Sequence, residues 1–153
     1  APLTDQELTS LYIFLFIAGE ETSANLLGAG TYNLLQGGNG CQQLASNATL
    51  AETCVEELLR FDPSVQIAGR NTLKDLMTGG KNIPAGATLA LVIGSANRDE
   101  TVFDAPDELR LERTPNRHLT FGLGTHHCMG DWLARRQAVI AFKELTQRFP
   151  SLQ

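Results

Sequence analysis

No lysine or arginine precedes Arg60, and the whole chain is short of positive charge, with twelve Lys+Arg against seventeen Asp+Glu and a net of −5. That sign excludes a nucleic-acid binder that works by neutralising phosphates. Long apolar runs are also missing. The longest, Leu11 to Ala18, is eight residues, whereas about 20 are needed to span a bilayer. It does not read as a secretory signal either, because Asp5 and Glu7 stand where a basic region belongs. Cysteine is scarce: Cys41, Cys54 and Cys128 are odd in number and form no CxxC pair, which fits a reducing compartment better than a disulfide framework. Neither an internal repeat nor a low-complexity tract is visible. The expectation is a soluble, cytoplasmic protein with no nucleic-acid or membrane partner.

What is present describes one globular unit. The 153 residues are 42% hydrophobic and 19% charged, in the range of a folded domain. A chain this long removes roughly 70% of its unfolded surface from water, so neither disulfide nor metal staples are required. Charge is uneven along it. The first 59 residues carry seven acids and no base; the remainder holds all twelve bases against ten acids, a net of +2.

Thr4-Asp5-Gln6-Glu7 has capping-box spacing and predicts a helix start. The following run, to about Gln36, is apolar on nearly all sides in its first half and is expected to be buried on more than one face. Gly37-Gly38-Asn39-Gly40 ends it. A second helix is predicted over roughly Leu50 to Phe61, stopped by Asp62-Pro63. Leu76 to Ile93 reads as a hairpin turning at Pro84-Ala85-Gly86, with Thr88 to Ile93 as the return strand. From Ala96 to Gly124 periodicity is lost; a loop of that length inside a domain usually serves a site. After Cys128 a final helix, with Ala138, Phe142, Leu145 and Phe149 on one face, runs to about Phe149 and is closed by Pro150.

The sharpest local feature is Phe121-Gly122-Leu123-Gly124-Thr125-His126-His127-Cys128-Met129-Gly130. It sets one cysteine at the mouth of a helix, where backbone N–H groups and the helix dipole favour thiolate, with glycines that let the backbone wrap closely around the sulfur. A lone cysteine is more often a small buried hydrophobe; the glycines distinguish this one. His126 and His127 diverge as adjacent side chains, so a metal ion shared with Cys128 is geometrically poor. Glu57-Leu58-Leu59-Arg60 places a carboxylate and a guanidinium at i, i+3 on one helix face. Standing alone, that pair is a solvated ion pair of little weight. In Ala18-Gly19-Glu20-Glu21-Thr22, Ala18 and Thr22 share a face, and Thr22 can bond back to a carbonyl and open the helix into a groove. Glu21 and Thr22 together suit proton delivery.

The decapeptide fills every fixed position of FGxGxHxC and its trailing glycine, and with ExxR and AGEET it resembles the cytochrome P450 family in its bacterial, soluble form. The resemblance implies the C-terminal part of that fold only: an α+β, mainly α unit with a long central helix, an ExxR helix, a small β-hairpin, an irregular meander, the cysteine loop and a final helix. The whole of 1–153 is then a single haem-binding portion, with the family's N-terminal portion absent. Cys128 would be the axial ligand of haem b, iron protoporphyrin IX, with Phe121 near the sulfur and Gly122, Gly130 and Ala18 close to the cofactor. Arg70 and His118 match positions that bind haem propionates. Glu57, Arg60 and Arg113 match a structural cluster that locks the irregular stretch; Thr22 and Glu21 match the oxygen-activating pair. IPAG at Ile83 to Gly86 and ANRD at Ala96 to Asp99 also agree.

The implied activity is a haem-thiolate monooxygenase inserting one atom of O2 into a small hydrophobic organic substrate, which approaches near Phe16, Ala18 and Val65 to Ala68. Electrons would come from NAD(P)H through a reductase and a ferredoxin-type donor, docking on a face formed by Arg113, Arg117, Arg135 and Arg136. Further partners are the missing N-terminal half or a second copy, drawn by the apolar helix Leu11 to Leu27. The alternative is a truncated, non-catalytic relative that binds haem or a partner protein without turnover. A cysteine hydrolase using Cys128 and His127 has no orienting third group at recognisable spacing.

Overall fold

The computed structural model describes residues 2–36, 38–149 and 152. Gly37 and Pro150, predicted as helix-ending residues, lie outside them. Helix α1 (Asp5–Gln36) opens as the capping box predicts: Glu7 N–H donates to Thr4 Oγ1 at 3.3 Å, and Thr4 N–H donates back to Glu7 Oε2 at 2.8 Å. A short α2 (Gly40–Ser46), which carries no strong sequence signal, follows. A 3-10 turn (Ala48–Leu50) then leads into α3 (Ala51–Phe61), which stops at Asp62-Pro63 as expected. The last helix is α5 (Asp131–Arg148). The second half of α1 packs with α2, α3 and α5 around Leu34, Leu44, Val55, Leu58 and Phe142, all buried.

The predicted single hairpin is corrected. Strands β2 (Leu76–Thr78) and β3 (Lys81–Ile83) form their own hairpin, Thr78 opposite Lys81. Its two-residue loop is Gly79-Gly80, with φ of +55° and +73°; positive φ at both positions is the twist a tight hairpin needs, and glycine adopts it freely. Strand β4 (Thr88–Val92) does not return along β2. It pairs antiparallel with β1 (Ile67–Asn71), Ile67 opposite Val92 and Asn71 opposite Thr88. The Pro84-Ala85-Gly86 turn exists, closed by Ala87 N–H to Pro84 O at 3.3 Å, but it redirects the chain between two small sheets. A four-residue helix, α4 (Ile93–Ala96), leads into the irregular stretch.

The first half of α1 is also corrected. Every described residue from Pro2 to Glu21 is exposed, including consecutive apolar side chains from Leu11 to Ile17. The composition anticipates burial, yet none of the described residues covers that end of the helix. Among the described residues no helix is long and apolar enough to cross a membrane. An apolar surface of this kind normally finds a partner. Size-exclusion chromatography of this chain by itself is therefore expected to show association; a compact monomer that binds no hydrophobic dye would contradict it.

Candidate functional site

Glu57 is the hub. It and Arg60 are both 0% exposed. Arg60 Nε and Nη2 each donate to one Glu57 oxygen at 2.8 Å, a bidentate pairing that follows from i, i+3 spacing on α3. Arg113 Nε adds bonds of 3.0 and 3.1 Å to the two oxygens. Two further donors are absent from any motif reading: the Arg110 backbone N–H at 2.9 Å and Asn116 Nδ2 at 3.1 Å. Burial pushes the carboxyl up, but the hydrogen bonds from Arg60, Arg110 N–H and Arg113 outweigh it and hold Glu57 below the usual carboxylate range. The guanidiniums use their remaining N–H groups on carbonyls, Arg60 on Pro106 and Glu108, Arg113 on Asp104 and Ala105. A stretch without helix or strand is thereby fastened to α3, as the cluster predicts.

The cysteine loop closes by Cys128 N–H donating to Phe121 O at 2.8 Å, around Gly122 and Gly124 with φ of +70° and +71°. Gly130 is different: it adopts an ordinary φ of −96° as the residue before α5, and a Cβ there would lie 4.0 Å from Cys128 Sγ, in plain contact. The two histidines do diverge. His126 turns to the cavity described below. His127 sets Nδ1 3.1 Å from Gly122 O and Nε2 3.2 Å from Asp131 Oδ2. The Gly122 carbonyl, and then Asp131, raise its pKa. Asp131 is an orienting group, yet with both ring nitrogens held against oxygen acceptors neither serves Cys128, and the hydrolase reading loses its base.

Across from the loop, Thr22 Oγ1 donates to Ala18 O at 2.8 Å, the back-bond expected of that spacing. The helix does not open there; α1 stays α-helical throughout. Ser64 Oγ, just beyond α3, donates to Thr22 O at 2.8 Å and ties the two elements together. Ala18, Thr22, Val65, Ala68, Phe121 and Cys128 line one cavity of about 270 Å³, with Arg70 and Gly122 also on its wall. Sequence reasoning thus joins residues more than a hundred positions apart. Glu21 is exposed and off that lining, and Phe16 is 61% exposed on the uncovered helix.

Arg70 is exposed, with one Nη1 bond to Gly69 O at 2.7 Å. His118 does not reach the cavity. Its ring is 2% exposed; Nδ1 accepts Thr120 N–H at 3.3 Å, so Nε2 carries the proton and donates to Glu56 at 3.1 Å. Glu56 also receives Arg135 Nε at 2.7 Å, and Arg135 Nη1 reaches Asp131 at 2.6 Å while its guanidinium lies 4.4 Å from the Phe121 ring centre. Burial raises the Glu56 carboxyl, and His118 and Arg135 more than reverse it. The i, i+4 spacing of Asp131 and Arg135 is the one sequence signal for this network. A docking face on four arginines is therefore corrected. The Arg113 side chain is 7% exposed and bound to Glu57, and Arg135 is half-buried and paired with Glu56 and Asp131; Arg117 and Arg136 are exposed.

The comparisons with known proteins point to one family. The family model described as Cytochrome P450 matches residues 36–152. The chain belongs to the cytochrome P450 family. It is 44% identical over 152 residues to the polyketide biosynthesis cytochrome P450 PksS of Bacillus subtilis, covering 99% of this chain and 38% of that protein. The steroid C26-monooxygenase of Mycolicibacterium smegmatis is 34% identical over 151 residues, covering 99% and 38%. Among solved structures, P450BioI in complex with an acyl carrier protein ligated to hexadec-9Z-enoic acid superposes with a TM-score of 0.94 at 42% identity, over 97% of this chain and 39% of that one. The mainly helical architecture with small sheets is thus that of P450 structures, and the chain spans a little over a third of the length of the relatives it matches.

Within this P450 unit a larger groove, about 870 Å³, lies between α2 and the irregular stretch, along Gln43, Asn47, Leu50, Arg110, Leu111 and Thr114. It contains neither Cys128 nor Thr22. The smaller cavity is the one that brings the thiol, the hydroxyl and apolar walls together.

Proposed function

We propose that this chain is the haem-bearing C-terminal portion of a soluble, cytoplasmic P450 monooxygenase, with Cys128 as the axial ligand of haem b. The observation that carries the reading is the cavity in which Cys128 and Thr22 share a lining with apolar side chains. The donor set fits the group: a thiol on a loop closed by backbone hydrogen bonds, Phe121 and Gly122 beside it, and the Arg70 guanidinium on the wall for a carboxylate. His118, committed to Glu56, supports that role less well. When bound, a thiolate-ligated haem supplies activation of O2 and transfer of one oxygen atom to an organic substrate.

The chain's own residues do the rest. Cys128 would hold the iron, and the Glu57 cluster keeps the irregular stretch fastened to α3. Thr22 holds a proton at Oγ1, parked on Ala18 O and within the cavity. Exposed Glu21, on the next helical position, exchanges protons with solvent and passes them inward through water. Val65 and Ala68 give the substrate an apolar wall, consistent with a small hydrophobic compound. The remaining walls, and the cover for Leu11 to Ile17, come from the family's N-terminal portion or from a second copy. A ferredoxin-type donor supplied through an NAD(P)H reductase meets the exposed Arg117 and Arg136. The second reading, haem binding without turnover, is favoured by the uncovered first half of α1.

Product formation separates the two, and Thr22→Ala tests the first. With electrons supplied, that variant is expected to lower product per electron by about a hundredfold, the lower end of what positioned proton transfer contributes. Haem content should not change. Equal coupling in the variant would remove Thr22 from proton delivery.

A further inference from the structure

The motif Ala96 to Asp99 has no part in the cavity, yet it holds a fully buried side-chain amide. Asn97 is 0% exposed. Its Oδ1 accepts Leu119 N–H at 2.7 Å and its Nδ2 donates to Thr120 Oγ1 at 3.0 Å. Its own carbonyl accepts Arg60 Nη1 at 3.0 Å. Thr120 Oγ1 donates in turn to Leu59 O at 2.7 Å, back on α3. One residue further on, Phe121 O accepts the Cys128 N–H. Asn97 therefore grips the Glu57–Arg60 pair with its backbone and the approach to the cysteine loop with its side chain. A carboxamide offers an acceptor and a donor on one carbon, and the fully buried Asn97 uses both on the half-buried Leu119 N–H and Thr120 hydroxyl.

We propose that Asn97 is a positioning residue that transmits the anchoring of the Glu57 cluster to the cysteine loop, fixing the level at which Cys128 stands opposite Thr22. Only its consequence for the iron rests on the function proposed above; the restraint on the loop belongs to the chain without haem.

The test is residue-resolved amide hydrogen exchange of this chain without haem. Asn97→Leu is expected to speed exchange at Leu119 and Cys128 by about tenfold, the effect of losing one hydrogen bond, with Leu58 and Val139 amides in the helical core unchanged. Asn97→Asp keeps an acceptor facing Leu119 N–H and is expected to restore Cys128 protection. If Asn97→Leu does not fold, Thr120→Val breaks the other half of the contact and is judged by the same amides. In the haem-loaded chain, the reduced carbon monoxide complex of Asn97→Leu should move from a thiolate-type band towards that of haem without thiolate, and Asn97→Asp should not. Unchanged Cys128 exchange, or equal acceleration of loop and core amides, overturns the proposal. Loop amides that respond in a chain that takes up no haem uphold the positioning and sink the iron-ligand reading instead.

Discussion

Glu57→Ala is expected to lower the unfolding free energy by about 3–5 kcal/mol, the range for removing one partner of a buried ion pair. The carboxylate faces Arg60, Arg113, the Arg110 N–H and Asn116 together. Its removal leaves one fully buried guanidinium and one nearly buried guanidinium without a counter-charge. Glu57→Gln keeps the shape and loses the charge, so it should be almost as damaging. Urea midpoints measure both, and a loss under about 1 kcal/mol, the value of an exposed pair, would show that the cluster is not buried in solution. The pH dependence has a definite sign. Because the folded carboxyl lies below its ordinary value of 4.5, its contribution is fully present above that value and disappears as pH falls through the folded pKa. The acid limb of the stability curve should therefore flatten in Glu57→Gln.

Cys128→Ala should abolish the thiolate-type band of the reduced carbon monoxide complex in this chain reconstituted with iron protoporphyrin, and should leave the fold intact. Cys128 is exposed and its structural bond is a backbone one, from its N–H to Phe121 O. The other two cysteines are internal controls. Cys54 is 0% exposed, and burial, with smaller contributions from Cys41 and Glu57, pushes its thiol up to about 12; Cys41 is buried as well and its thiol is likewise raised by burial. A thiolate band retained in Cys128→Ala, or lost in Cys54→Ala, would assign the ligand to the wrong sulfur. Alkylation of Cys128 should be blocked by bound haem. Equal labelling with and without it would remove the sulfur–iron bond from the account.

Local rules account for the parts of this molecule that were legible in advance. Thr4 and Glu7 begin a helix because their side chains satisfy its first donors, and Asp62-Pro63 ends α3 because the ring of a proline excludes the helical conformation before it. Glu57 and Arg60 meet because three residues make nearly one helical turn. The glycine-bracketed Cys128 needs a bend with positive φ wherever it stands. These are properties of short segments, and the family resemblance rests on them.

Pairing and covering are not local. The Gly79-Gly80 loop and the Pro84-Ala85-Gly86 turn compete for the same strands, and the choice of β1 as the partner of β4 depends on a segment seventeen or more positions away. His118, matched to a haem propionate, and Arg135, placed on a docking face, both turn instead to Glu56 on another helix. The run from Leu11 to Ile17 has the composition of a buried helix, but burial belongs to whatever lies against it, and the described residues supply nothing there. The sequence by itself determined where helices start and stop, which sulfur is set on a glycine bend, and which carboxylate and guanidinium meet. Only the tertiary structure decided which of those groups share a cavity and which are already spent on each other, because distance through space is fixed by packing of the whole chain and not by spacing along it.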